Sequence, residues 1–104
     1  MKLIDIGYAV GEHKIKVEDL FDDPRLLDKT GITNVYETSE TTSDLVLRAA
    51  SRLKINDLDL VNACILVTQS PDDVLPANSI PIAKRIGLKE KTLAFDINQG
   101  CSGF

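Results

Sequence analysis

Leu60-Val61-Asn62-Ala63-Cys64-Ile65-Leu66-Val67-Thr68 runs almost without a polar break. A strand with one wet face alternates apolar and polar residues. A run that is apolar at successive positions suits a central strand covered on both faces, as in a parallel sheet. The clearest helix lies on its N-terminal side. Thr41 and Asp44 have capping-box spacing, with Asp where Glu or Gln is usual. Val46, Ala50 and Leu53 then share one face, with Leu45 and Ala49 beside it, and Asn56-Asp57 is expected to stop the helix. On the C-terminal side, Ser70-Pro71-Asp72-Asp73 reads as a loop. Pro76 opens a second helical stretch that ends at Gly87, a residue suited to a left-handed cap. Pro81 falls inside it, so the helix either starts late, near Ser79, or kinks. Leu93 to Ile97 is the next strand.

Farther out, Ile4, Ile6, Tyr8 and Val10 alternate with Asp5, Gly7 and Ala9. Period two predicts a strand with one buried apolar face. Gly11-Glu12-His13-Lys14 reads as a polar turn. Val17 to Phe21 reads as a short helix closed by Asp22-Asp23-Pro24. Gly31, after Thr30, is expected at positive φ. The order strand, helix, strand, helix, strand predicts an α/β fold with right-handed crossovers onto a mainly parallel sheet.

A chain of 104 residues holds at most one domain, and a domain of this size buries a modest core. Its 43% hydrophobic and 27% charged residues are those of a soluble globular protein. The net charge of -4 argues against nucleic acid, whose binders carry a basic face. No apolar run is long enough to cross a bilayer. Met1-Lys2-Leu3-Ile4-Asp5-Ile6 places a carboxylate where a signal peptide would be apolar. Two cysteines without a secretory signal point to a reducing compartment, and nothing in their spacing demands a disulfide.

Cys101 stands just past the 93–97 strand, between Gly100 and Ser102-Gly103. A helix starting there would favour thiolate over thiol, which suits a nucleophile. The competing reading is a buried structural cysteine, since free cysteine behaves as a small hydrophobe. Cys64, among Ala63, Ile65 and Leu66, reads as inert core. His13, the only histidine, sits in a charged segment and reads as a surface residue. Asp22-Asp23 and Asp72-Asp73 lack His or Cys at ligand spacing and read as solvated turns, so no metal is expected. The hydroxyl-rich stretch 38–43 is explained by helix capping.

Several segments taken in order resemble one family. They are Thr30-Gly31-Ile32, Thr41-Thr42-Ser43-Asp44-Leu45 with Ala49-Ala50, Val67-Thr68-Gln69-Ser70-Pro71-Asp72, and Pro76 before the second helix. The last is Phe95-Asp96-Ile97-Asn98-Gln99-Gly100-Cys101-Ser102-Gly103-Phe104. The chain resembles the N-terminal part of a β-ketoacyl-acyl-carrier-protein synthase III, a thiolase-fold condensing enzyme.

The resemblance implies residues 1–104 of the first of two similar halves, truncated just after the nucleophile. Each half of the family is built on a mixed, mainly parallel sheet with helices on both faces, and the second half is absent here. It implies Cys101 as the acyl-carrying nucleophile and its N–H as an oxyanion donor. Leu75, before Pro76, would reach across a homodimer interface as a gate on the acyl channel of the partner subunit. The implied partners are acyl-CoA or acyl-carrier-protein thioesters and the carrier protein itself. No cofactor, membrane or nucleic acid is implied, and the implied location is the cytoplasm.

The family's catalytic His and Asn would lie beyond Phe104, so the isolated chain is expected to be inactive. The family often holds CoA with a Trp and an Arg near the Thr-Gly-Ile segment. This chain has no Trp, carries Thr33-Asn34-Val35-Tyr36 there, and has Lys29 as the nearest cation. A carrier-protein thioester is therefore an alternative primer. Two other functions compete. One is a different thiolase-fold condensing reaction, such as that of hydroxymethylglutaryl-CoA synthase or of a specialised-metabolite synthase. The other is a non-enzymatic fragment that associates through an uncovered sheet.

Overall fold

A computed structural model of the chain describes residues 2–102. They form two compact units, residues 10–40 and residues 41–102 together with 2–9.

In the smaller unit, β1 (His13–Lys16) pairs antiparallel with β2 (Asn34–Glu37), from His13↔Glu37 to Lys16↔Asn34. Between them lie α1 (Val17–Leu20) and α2 (Pro24–Thr30). Asp23 starts α2 by accepting from Arg25 N at 3.0 Å, and Pro24 takes the first helical position, where its missing N–H costs nothing. Gly31 closes α2 at φ 67, as expected, with its N–H on Leu27 O at 2.8 Å.

Two expectations fail in this unit. His13 and Lys14 belong to a strand, not a turn, because their ladder partners lie some twenty residues away in β2, outside any local pattern. Pro24 opens a helix that the sequence reading missed. Glu12 ties the open end of the hairpin together. It accepts from Thr38 Oγ1 at 2.6 Å and from Ser39 N and Oγ, both at 3.1 Å. The Thr38 hydroxyl first, then the Ser39 amide, hold its carboxyl down at about 2.

The larger unit opens its helical part with α3 (Thr42–Ala50), whose N-cap Thr41 accepts from Asp44 N at 3.2 Å. This is the expected cap. The helix stops short of the expected Asn56-Asp57: Arg52 N and Leu53 N bond back to Ala49 O and Ala50 O, tightening the last turn, and Lys54 N is taken by the Asp5 carboxylate. A single 3-10 turn at Leu58–Leu60 follows, capped by Asp57.

β3 (Ala63–Val67) and β4 (Leu93–Ile97) then pair in parallel, from Ala63↔Leu93 to Val67↔Ile97. The crossover carries α4 (Ser79–Ile86). Pro81 is its third residue, where no intrahelical N–H bond is lost, so the late start holds and the kink does not arise. Gly87 caps it at φ 91.

The core of this unit is where α4 meets β3: Leu66, Ile82 and Ala83 are buried, with Asn78 and Ser79 buried at the head of α4. The opposite face of the sheet is not covered among the described residues. Ile65, Val67, Leu93 and Phe95 are exposed there.

Residues 4–9 form no strand. Their burial does alternate, but inverted: Ile4, Ile6 and Tyr8 are exposed while Asp5, Gly7 and Ala9 are half-buried. The end of α3 sets this side. Asp5 accepts from Lys54 N, Arg52 donates to Tyr8 O at 2.8 Å and lies over the Tyr8 ring, and a Cβ at Gly7 would strike Ala49 O.

Candidate active site

Parallel strands in register send their chains out at the same end of the sheet. In α/β sheets such carboxyl ends are where sites form. Here Thr68 N extends the ladder to Ile97 O at 3.1 Å, so the loop after β3 and the turn after β4 leave side by side. The turn is a 3-10 helix, Gly100–Ser102, with Cys101 exposed in it as a free thiol. Gly100 has φ 58, a conformation that favours glycine, and a Cβ there would lie 3.7 Å from Gln69 Nε2. The Gln69 amide thus lies against the residue before the thiol. Gln69 was not singled out from sequence.

The expected α-helix over Ser102-Gly103-Phe104 falls partly outside the described residues; the described part is 3-10. Cys64, the other free cysteine, is half-buried in β3. Burial first, then the charge of Asp96, push its thiol up and keep it protonated. The two thiols therefore differ in exposure, Cys64 half-buried and Cys101 exposed. His13 heads β1 in the smaller unit, exposed and opposite Glu37.

Leu75 lies in the loop between β3 and α4, 85% exposed, beside Val74 at 88%, and the Leu75–Pro76 peptide is cis. The base of this loop is held firmly. Thr42 Oγ1 donates to Ser70 O at 2.6 Å, and Ser43 N donates to Asp72 at 3.1 Å. Asp72, considered for a metal, thus serves the N-terminus of α3. Its carboxyl is held low by Ser43 against the opposing effect of burial. No group of His, Cys, Asp or Glu suited to a metal ion occurs among the described residues.

Asp96 does the matching work for α4. Its carboxylate accepts from Asn78 N at 2.6 Å and from Ser79 N at 2.9 Å, capping the helix from the neighbouring strand. Burial opposes its charge, but the donors of Ser79 and Asn78 win and hold the carboxyl below the ordinary 3.8. The capping residue is eighteen positions from Asn78, whose amide it takes, so no local pattern reveals it. The available signal was a carboxylate inside an apolar strand.

Between α3, α4 and the start of β3 runs an apolar groove of about 630 Å³, lined among others by Leu47, Leu53, Leu58, Ile86 and Cys64. Neither Cys101 nor Leu75 lines it.

No family model matches the chain. Known proteins do. β-ketoacyl-[acyl-carrier-protein] synthase III of Lactococcus lactis is 30% identical over 99% of this chain and 34% of its own length. β-ketoacyl-[acyl-carrier-protein] synthase III 5 of Streptomyces coelicolor is 38% identical over 98% of this chain and 32% of its own. The crystal structure of 3-oxoacyl-(acyl carrier protein) synthase III from Pseudomonas aeruginosa superposes with a TM-score of 0.80 at 28% identity, covering 95% of this chain and 33% of that one. The chain is a thiolase-fold relative of the β-ketoacyl-acyl-carrier-protein synthases III.

It spans about a third of the length of these synthase III relatives. The parallel β3–β4 pair, with a helix between, is thus a portion of the thiolase fold. The described part of the synthase III resemblance block, Phe95–Ser102, falls on β4 and the turn that follows it.

Proposed function

We propose that the whole protein is an acyltransferase in which Cys101 carries the acyl group. The observation that carries this reading is the exposed free thiol of Cys101 in a turn at the carboxyl end of a parallel strand pair, in a chain related over nearly its full length to synthase III enzymes. The Cys101 thiolate attacks the carbonyl of an acyl thioester of CoA or carrier protein. A new C–S bond forms to Sγ, and the donor's C–S bond breaks to release its thiolate, which takes up a proton from solvent. A malonyl thioester then loses carbon dioxide, and the resulting carbanion attacks the acyl carbonyl. The C–C bond forms, the acyl carbon's bond to Sγ breaks, and Cys101 leaves as thiolate. The Cys101 N–H supports the oxyanion formed at each addition.

By the same reading Leu75, on its firmly held loop, gates the acyl channel across a homodimer interface, and the enzyme works in the cytoplasm. No helix of the described residues is long and apolar enough to cross a membrane. Residues 1–104 alone do not turn over, because the proton-handling His and Asn implied by the resemblance are not among them.

The test is release of carbon dioxide from a malonyl thioester by the whole protein in the presence of an acyl primer. Wild type should release it in proportion to condensed product, and Cys101→Ala should make no product, whereas Cys64→Ala should retain most of the activity. Full condensation by Cys101→Ala would overturn the proposal.

A second reading has one observation in its favour. The exposed Ile65, Val67, Leu93 and Phe95 on one sheet face suit association with another apolar surface.

A further inference from the structure

Asn78 makes more contacts than helix capping requires. It is 3% exposed, and its side chain faces two ways. Toward the loop, Oδ1 accepts from Asp72 N at 3.0 Å and Asp73 N at 3.2 Å, while Nδ2 donates to Asp73 O at 2.6 Å. Toward the sheet, its backbone N–H donates to Asp96 Oδ2 at 2.6 Å and its Nδ2 approaches the same oxygen at 3.4 Å. Asp96 in turn is in β4, the strand that leads into the Cys101 turn. A single buried amide therefore joins the base of the loop that presents Val74 and Leu75 to the strand that presents the thiol. Those two apolar side chains make little contact of their own, being almost fully exposed, so their placement is set by the loop base. An amide that satisfies both of a turn's N–H groups and one carbonyl removes most of that turn's freedom, and leaving those groups unpaired in a buried site is costly.

We propose that Asn78 is a positioning residue for acyl selection: it fixes the Val74–Leu75 tip on the body of its own subunit, so the acyl length accepted at the thiol of the homodimer partner depends on it. This rests on the function proposed above and names the device that would set its specificity. Asn78 touches no reacting atom in this account; it acts through Leu75.

The experiment uses the whole protein and a series of acyl-CoA or acyl-carrier-protein primers from acetyl to dodecanoyl. It measures the rate of acyl transfer to Cys101 for wild type, Asn78→Ala, Leu75→Ala and the double variant. Asn78→Ala should raise the ratio of long-chain to short-chain transfer by about tenfold, as loss of one well-made buried hydrogen-bond set permits. Leu75→Ala should shift it in the same direction, and the double variant should match the Leu75 variant alone, since the two act in series. Amide exchange at Asp72 and Asp73 should speed up in Asn78→Ala. Should that variant fail to fold, Asn78→Ser keeps a small polar group at the site but is too short to reach both amides, and it is read in the same way.

An unchanged chain-length profile, with transfer lowered equally for every primer, overturns the proposal and leaves Asn78 a purely structural residue. Unchanged exchange at Asp72 and Asp73 overturns it too. Failure of the wild type to take any acyl group is a different result: it overturns the function on which the proposal rests.

Discussion

Asp96 and Glu12 show how single carboxylates hold this chain together without a large core. Asp96 takes the first amides of α4 from a neighbouring strand. Asp96→Ala should cost about 1–3 kcal/mol in chemical unfolding, the range for a lost cap plus a buried amide left unpaired. Both carboxyls lie below their ordinary values, so their contributions are complete above those values and are lost as pH falls through the folded ones. For Glu12 the window runs from 4.5 down to about 2. For Asp96 it opens below 3.8. Acid titration followed by amide exchange should show the Ser39 amide loosening across the first window in wild type but already loose at neutral pH in Glu12→Gln. Identical acid profiles for the two would contradict the assignment.

The cysteines differ on the same scale. Cys101 is exposed, while burial and Asp96 disfavour the Cys64 thiolate. Cys64 should be alkylated at least about tenfold more slowly than Cys101, as read by peptide mapping after brief iodoacetamide treatment.

Elements with local punctuation were legible, and those made by distant pairing were not. Thr41 with Asp44, Ser79 before Pro81, and Gly87 are read within a few residues, and α3 and α4 start or stop where these say. β4 spans the apolar run Leu93–Ile97 itself. β1 exists because Asn34–Glu37 returns beside it, and residues 4–9 lie as they do because Asp5 meets Lys54 and Gly7 meets Ala49. Period two was present in that segment; which of its faces is covered is a tertiary matter. Cys101 was legible because its turn adjoins a strand, whereas Gln69, Asn78 and Asp96 act across the chain.

Two glycines test this scale. Gly87→Ala has room, its Cβ 3.9 Å from Leu58, but holds φ 91, so the cost should be backbone strain of about 1–2 kcal/mol. Gly7→Ala meets a backbone carbonyl and should instead release the 2–9 segment, seen as faster exchange at Lys54 N, the amide that Asp5 protects.

On the scale of the whole molecule, membership of the thiolase fold accounts for the parallel pair, the helix between its strands and the placement of Cys101 where the strands end. The exposed apolar sheet face has a consequence for a polypeptide of these residues alone. It should associate as concentration rises, visible in light scattering, and Ile65→Lys with Phe95→Lys should reduce this by interrupting the patch.

The central claim, that Cys101 holds the acyl group, is tested most directly by trapping the acyl-enzyme. The whole protein is incubated with an acyl primer and no malonyl thioester, then digested and analysed by mass. A mass increase equal to the acyl group on the peptide containing Cys101, labile to hydroxylamine and absent from Cys101→Ala, is the predicted result. An acyl group found on Cys64 or elsewhere, or one that persists in Cys101→Ala, would contradict the account.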